Sequence, residues 1–218
     1  MPRPPLRHHR LRWRLLLAAL VTATTLIGSS LIGSPAAATP PGIPTKATAQ
    51  AELNALVTAP EASMAGYSRA LFPHWTSSGG CTTRQSVLKR DGIDVVVGPN
   101  CQPVAGRWYS PYDHVTLYSA DQVDIDHVVP LAEAWRSGAY AWTTEQRRAF
   151  ANGLGGPQLR AVSATVNRAK GDQDPARWKP RPAYHCTYAK MWIRTKYRWN
   201  LTVQPAERAA LQSMLNTC

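Results

Sequence analysis

Asp124-Ile125-Asp126-His127-Val128-Val129-Pro130-Leu131 is the stretch from which the organisation of the chain can be read. Val123 and Ile125 alternate with Asp124 and Asp126, the period-two pattern of a strand with one buried face. Pro130 then marks the first turn of a helix, expected to run to about Ser137 ahead of Gly138. A carboxylate and an imidazole therefore stand side by side where a strand ends and a helix begins.

Downstream, Thr143 or Thr144 can cap a helix reaching Asn152, after which Gly153, Gly155, Gly156 and Pro157 break the chain. Residues 158–162 read as a short strand, and Ser163 caps a helix carrying Asn167 and Lys170, three apart and on one face. Asn167 lies forty residues beyond His127. Asp174-Pro175 suggests one more helical turn. Tyr188, Met191, Trp192 and Thr195 recur at helical spacing, and a last helix from about Pro205 is expected to turn Ala209, Leu211, Met214 and Leu215 inward.

Upstream, Thr45 can cap a helix to about Thr58 with Leu53, Leu56 and Val57 on one side. Lys89-Arg90-Asp91-Gly92 looks like a hairpin turn before a β-branched strand, 93–97, closed by Gly98-Pro99. Residues 115–118 and 122–126 are expected as adjacent strands. With no internal repeat, the economical reading is one small α+β domain.

The first fourteen residues hold five arginines, two histidines and no acid; an apolar run to Ile32 follows, then Ser34-Pro35-Ala36-Ala37-Ala38. Basic, apolar and Ala-x-Ala regions in that order describe a secretory signal peptide, 1–38. Residues 39–44 read as a Pro-rich linker and 45–218 as the domain. No other apolar run is long enough to span a bilayer, so no membrane association is expected after cleavage. The chain carries a formal +12; subtracting the five leader arginines leaves +7, an excess suited to a polyanionic partner or simply to a solvated basic surface.

Cys81, Cys101, Cys186 and Cys218, an even number in an exported chain, suggest two disulfides. Three pairings are open. Cys81–Cys101 with Cys186–Cys218 is favoured because each pair closes a loop of modest length and the second pins the C-terminus. No Cys-x-x-Cys pair supports a structural zinc site.

Asp-His-x-x-Pro-Leu at 126–131, followed by Asn-x-x-Lys-Gly-Asp at 167–172, resembles the HNH (ββα-metal, His-Me finger) nuclease motif. More closely, it resembles the C-terminal domain of the GmrSD restriction endonucleases and secreted actinobacterial proteins that share it. The core of the likeness spans 124–178; Gly66-Tyr67-Ser68 and Phe72-Pro73-His74-Trp75 extend it toward the secreted members. The resemblance implies a ββα-metal core, to which the long span between the half-motifs adds helices and the cysteines two disulfides, and an endonuclease hydrolysing phosphodiester bonds of DNA or RNA. It implies His127 as general base, an imidazole being suited to that work near neutral pH. Asp126 and Asn167 are implied as hard oxygen ligands of a divalent ion, Mg²⁺ first and Mn²⁺ second. Lys170, Arg168 and Arg107 are candidates for contact with the nucleic-acid backbone.

One position departs from the pattern. The HNH motif has a middle Asn that ties down the loop carrying the histidine, and Gln158 stands at the matching place; Asn152 fits less well. Taken singly, Asp126 could be a helix cap, His127 a satisfied core histidine and Asn167 a surface residue; their order and spacing favour a site. Asp124 shares the face of Asp126 and is a reserve ligand, while Trp108 and Trp178 are more readily core than groove. A secreted basic nucleic-acid-binding protein with an idle nuclease fold is the alternative from another class, and no His-rich set supports a zinc hydrolase. A monomer is expected.

Overall fold

In a computed structural model, residues 39–218 are described, with Met1, Pro2 and Pro4; the signal-peptide reading of 1–38 otherwise lies outside the described residues. Helix α1 (Lys46–Ala55) is capped by Thr45, whose side chain accepts from Thr48 N. It stops three residues short of the expected end, at Leu56, where the chain turns extended and leaves Val57 exposed. A two-residue hairpin, β1 (Ser77–Ser78) and β2 (Cys81–Thr82), leads into α2 (Thr83–Asp91). The hairpin turn expected at residues 89–92 is thus the end of a helix. Its start signal is a capping box, Thr82 with Gln85, satisfying backbone donors reciprocally.

Strands β3 (Gly92–Val97), β4 (Pro103–Ser110) and β5 (Val115–Leu117) form one antiparallel sheet in that order. The site hairpin is separate: β6 (Val123–His127) pairs antiparallel with β7 (Leu159–Ser163), from Val123 opposite Ser163 to His127 opposite Leu159. The expected adjacency of 115–118 with 122–126 is therefore corrected. A short 3-10 turn at Ala120–Gln122 redirects the chain, and β6 takes its partner from a segment closing on it thirty-odd residues later.

Helices α3 (Leu131–Arg136) and α4 (Thr144–Ala151) lie between the paired strands in sequence, and α5 (Ala164–Lys170) follows β7 directly. Asp174 makes a single turn through its carboxylate, which accepts from Ala176 N and Arg177 N. Helices α6 (His185–Arg198) and α7 (Pro205–Leu215) complete the domain. Leu211, Met214 and Leu215 point inward as expected, but it is Ala210 and not Ala209 that is buried.

Two apolar clusters flank the hairpin. Val123, Ile125, Leu159 and Ala161 pack with Val87, Leu88 and Trp108 on one side. On the other, Val128, Val129 and Val162 join an aromatic-rich core with Phe72, Tyr112, Phe150, Tyr188 and Trp192. Burial of the Val123 and Ile125 face fixes the hairpin register, because a one-residue slip would turn Asp124 and Asp126 into the Val87, Leu88 and Trp108 cluster. α3 is anchored by a buried cation: Lys196 Nζ donates to Glu133 at 2.8 Å and to Glu207 at 2.7 Å, joining α3, α6 and α7. Burial alone would raise the Glu133 carboxyl, but Lys196, Ser137 and Arg136 hold it below its ordinary value.

The disulfides join Cys81 to Cys101 and Cys186 to Cys218, with Cα separations of 5.3 and 5.1 Å. Residues 39–44 are irregular, as a linker would be, yet Pro40 and Pro44 are buried and Ile43 packs on the core. Among the described residues no helix is long and apolar enough to cross a membrane.

Candidate active site

The last residues of β6 divide between two sides of the hairpin. Asp124 and Asp126 meet α5, which Ser163 starts by accepting from Val166 N at 3.1 Å. From that helix Asn167 Nδ2 donates to Asp124 Oδ2 at 3.1 Å, and Lys170 Nζ donates to Asp126 Oδ1 at 2.7 Å. Lys170 also donates to the His127 carbonyl at 3.0 Å, and Tyr112 Oη donates to Asp126 Oδ2 at 2.8 Å. Asp126 is only 3% exposed. Burial raises its carboxyl above the ordinary value, Lys170 and Tyr112 pull it down, and Asp124 adds to the rise.

His127 is held from the other side. Its Nε2 lies 2.9 Å from the Ala151 carbonyl at the end of α4. A carbonyl can only accept, so Nε2 bears the proton and Nδ1 of the neutral ring keeps its lone pair. Trp75 stacks on the imidazole with centroids 5.3 Å apart and planes at 26°. Burial lowers the His127 pKa to about 3, with Arg69, His74 and Lys170 adding to the drop and the Ala151 hydrogen bond opposing it. Burial thus favours the neutral ring at neutral pH.

Gln158 fixes the loop after His127. Its Oε1 accepts from Val129 N at 3.0 Å and its Nε2 donates to Val129 O at 2.8 Å, so one amide satisfies both polar groups of one buried residue. Val128 N donates to the Gln158 carbonyl at 2.8 Å. The extra methylene relative to asparagine is accommodated with the amide fully used. Asn152 does a different job, accepting from Thr76 N at 3.0 Å and donating to Pro73 O at 2.7 Å, which holds the Trp75 segment beside His127.

Asp126, His127 and Asn167 border one cleft of about 130 Å³, together with Arg69 and Asp172. Gly171 closes α5 at φ +54°, a left-handed turn that favours glycine, and also lines the cleft. Three residues expected at a substrate surface do not line this cleft. Lys170 is fully buried and committed to Asp126. Arg107, on β4, pairs with Asp94 at 2.6 Å, and neither it nor the exposed Arg168 borders the cleft. Trp108 is core, its Nε1 donating to Leu88 O at 2.8 Å. Arg69 and Tyr112 are not legible as site residues: Arg69 lies between the two stretches, 66–68 and 72–75, that extend the family likeness, but nothing in the sequence says that this segment meets β6, and Tyr112 carries no motif.

The donor set suits a hard divalent cation. Asn167 commits its Nδ2 to Asp124, leaving its amide oxygen for another partner. The remaining candidates, Asp126 and Asp172, are carboxylates, and all four cysteines are in disulfides. Among the described residues, another acidic group, Glu61, Glu133 and Asp174, is close enough to share an ion. Its members already pair with Arg136, Arg177 and Lys196 or accept from backbone amides, so they serve packing.

Residues 98–214 match the family described as GmrSD restriction endonucleases, C-terminal domain. The chain belongs to that family, which defines it as a nuclease-family domain. It is 55% identical over 182 residues, 83% of this chain and 89% of the other, to a protein of Arthroderma benhamiae named "Uncharacterized secreted protein". No solved structure matches the chain.

Proposed function

We propose that this protein is a secreted, metal-dependent endonuclease that hydrolyses phosphodiester bonds of DNA, and of RNA as the second substrate class. The observation that carries this reading is the meeting of Asp126, His127 and Asn167 at one cleft, with the His127 proton committed to Ala151 O. The free Nδ1 would accept a proton from a water attacking phosphorus as general base; burial leaves the ring unprotonated but weakly basic, and the negative charge of a bound phosphate would raise its basicity toward the range that work needs. The Ala151 carbonyl fixes the tautomer, and the Trp75 stack and the Gln158 tie fix the orientation. Asp126 and Asn167 would hold Mg²⁺ or Mn²⁺, which when bound supplies Lewis-acid relief of charge on the phosphate and the leaving oxygen. Lys170 acts through Asp126, holding its carboxylate ionised and in place although burial opposes this.

Secretion is supported by the leader composition and by the name of the Arthroderma relative. The net charge of +7 beyond the leader favours a polyanionic substrate, bound by a single copy of the chain. A nucleic-acid-binding protein without turnover is the second reading. It is favoured by one observation: both Asp126 oxygens already accept hydrogen bonds, from Lys170 and Tyr112.

One assay separates the two. Purified protein is incubated with plasmid DNA and with RNA, with Mg²⁺ or Mn²⁺, beside an EDTA control and His127→Ala. Cleavage that EDTA and His127→Ala both abolish supports the enzyme. Salt-sensitive binding with intact nucleic acid in every lane supports the second reading.

A further inference from the structure

Arg69 lies outside the family-matched residues 98–214, yet it lines the same cleft as Asp126, His127 and Asn167. It is the only arginine or lysine on that lining, where Asp126 and Asp172 supply negative charge. Other arginines are spent internally: Arg90 on Asp91, Arg136 on Glu133, Arg147 on backbone carbonyls and Arg194 on Glu52. Among the described residues the Arg69 guanidinium has no carboxylate within salt-bridge distance and no hydrogen-bond acceptor, and its field reaches His127.

The segment carrying it is held in place. Ser68 Oγ accepts from Ala70 N at 3.3 Å at the start of the turn Arg69–Leu71. Arg147 Nε donates to the Leu71 carbonyl at 2.9 Å, Phe72 is fully buried, and Asn152 clamps Pro73 and Thr76. Arg147 lies within α4 and Asn152 is its C-cap, and the same helix presents the Ala151 carbonyl to His127. One helix thereby sets both the imidazole and the backbone that carries the free cation.

We infer that Arg69 is the phosphate-contact residue of this cleft, its guanidinium taking the non-bridging oxygens of a nucleic-acid phosphodiester beside His127. A planar fork suits two phosphate oxygens in a way an ammonium does not. The inference rests on the nuclease reading for the identity of the ligand, but its test does not require turnover.

Binding of a 20-base-pair duplex is measured in EDTA across a salt series for wild type, Arg69→Ala, Arg69→Lys and, as a control, Arg148→Ala. Arg148 is exposed on α4 and does not line the cleft. Arg69→Ala should reduce the log–log salt slope by about 0.9, one phosphate, and weaken binding about 10-fold or more. With metal added, kcat/KM should fall about 10- to 100-fold, and Arg69→Lys should recover the salt slope but only part of the rate. The melting temperature should be unchanged, since the side chain is exposed and unpaired.

Arg69→Ala that matches wild type in slope and rate overturns the inference while leaving the nuclease reading intact. A slope reduced by Arg69→Ala in a wild type that never cleaves upholds it and removes the nuclease reading. A loss no greater than that of Arg148→Ala, or no duplex binding by the wild type, also overturns it.

Discussion

Replacing Gln158 by asparagine, the residue the HNH pattern carries at this place, should damage this protein. The Gln158 amide makes bonds of 3.0 and 2.8 Å to the two polar groups of Val129, with donor and acceptor both buried. Removing a methylene withdraws the amide by roughly 1.5 Å, one carbon–carbon bond, too far for either bond to survive unless the loop moves. A buried polar group left without a partner costs about 1–3 kcal/mol, so losing both costs about 2–6 kcal/mol. That is a large share of the roughly 5–15 kcal/mol by which a domain is stable. Urea denaturation of wild type and Gln158→Asn at pH 7 in EDTA measures the loss. In the cleavage assay kcat should fall at least about 10-fold, because displacement of His127 by even 1 Å is costly to a positioned base. An equally stable and equally active Gln158→Asn would refute the claim that the two-point tie to Val129 holds the catalytic loop.

His127 makes the apoprotein acid-sensitive. Its folded pKa of about 3 lies below the unfolded value of 6.5, so its contribution is unaffected above pH 6.5 and stability declines as pH falls from 6.5 toward 3. At pH 4.5 this costs on the order of 2–3 kcal/mol relative to pH 7, and His127→Asn, compared by urea denaturation in EDTA at both values, should lose that much less on acidification. A wild type and variant with the same pH dependence would mean the ring is solvated. Lys170→Met leaves the Asp126 carboxylate buried without its cation and should cost about 3–5 kcal/mol by the same measurement; a cost under about 1 kcal/mol would contradict a buried pair. Opening the Cys186–Cys218 bridge by a double alanine substitution should cost about 3–4 kcal/mol, from the loop it closes, and fray the end of α7 first in hydrogen exchange.

Local chemistry made much of the domain legible. Helix caps at Thr45, Thr143 and Ser163 were readable because a side-chain oxygen meeting backbone donors acts within one turn. The alternation through Val123–His127 identified β6 for the same reason, period two being a property of one strand. The α2 helix is hard to read locally because its last residues, Lys89 to Gly92, have turn-like chemistry that competes with the Thr82–Gln85 capping box at the other end. The pairing of β6 with β7 rather than β5 could not be read locally, since pairing is decided by which segments share the two apolar clusters.

Order and spacing along the chain, together with the family pattern, pick out the candidates: Asp126 and His127 at a strand end, Asn167 on a helix, and Gln158 where the pattern carries a loop-fixing amide. What surrounds each of them is settled only in three dimensions. Burial against Trp75 and a hydrogen bond to Ala151 keep His127 neutral with Nδ1 free. Burial takes Lys170 from solvent and makes it the partner of Asp126, whose other oxygen Tyr112 holds. Clamping by α4 brings Arg69 to the cleft from outside the motif. Protonation state, exposure and charge in a cleft depend on neighbours from several distant segments, and those neighbours are set only when the core closes.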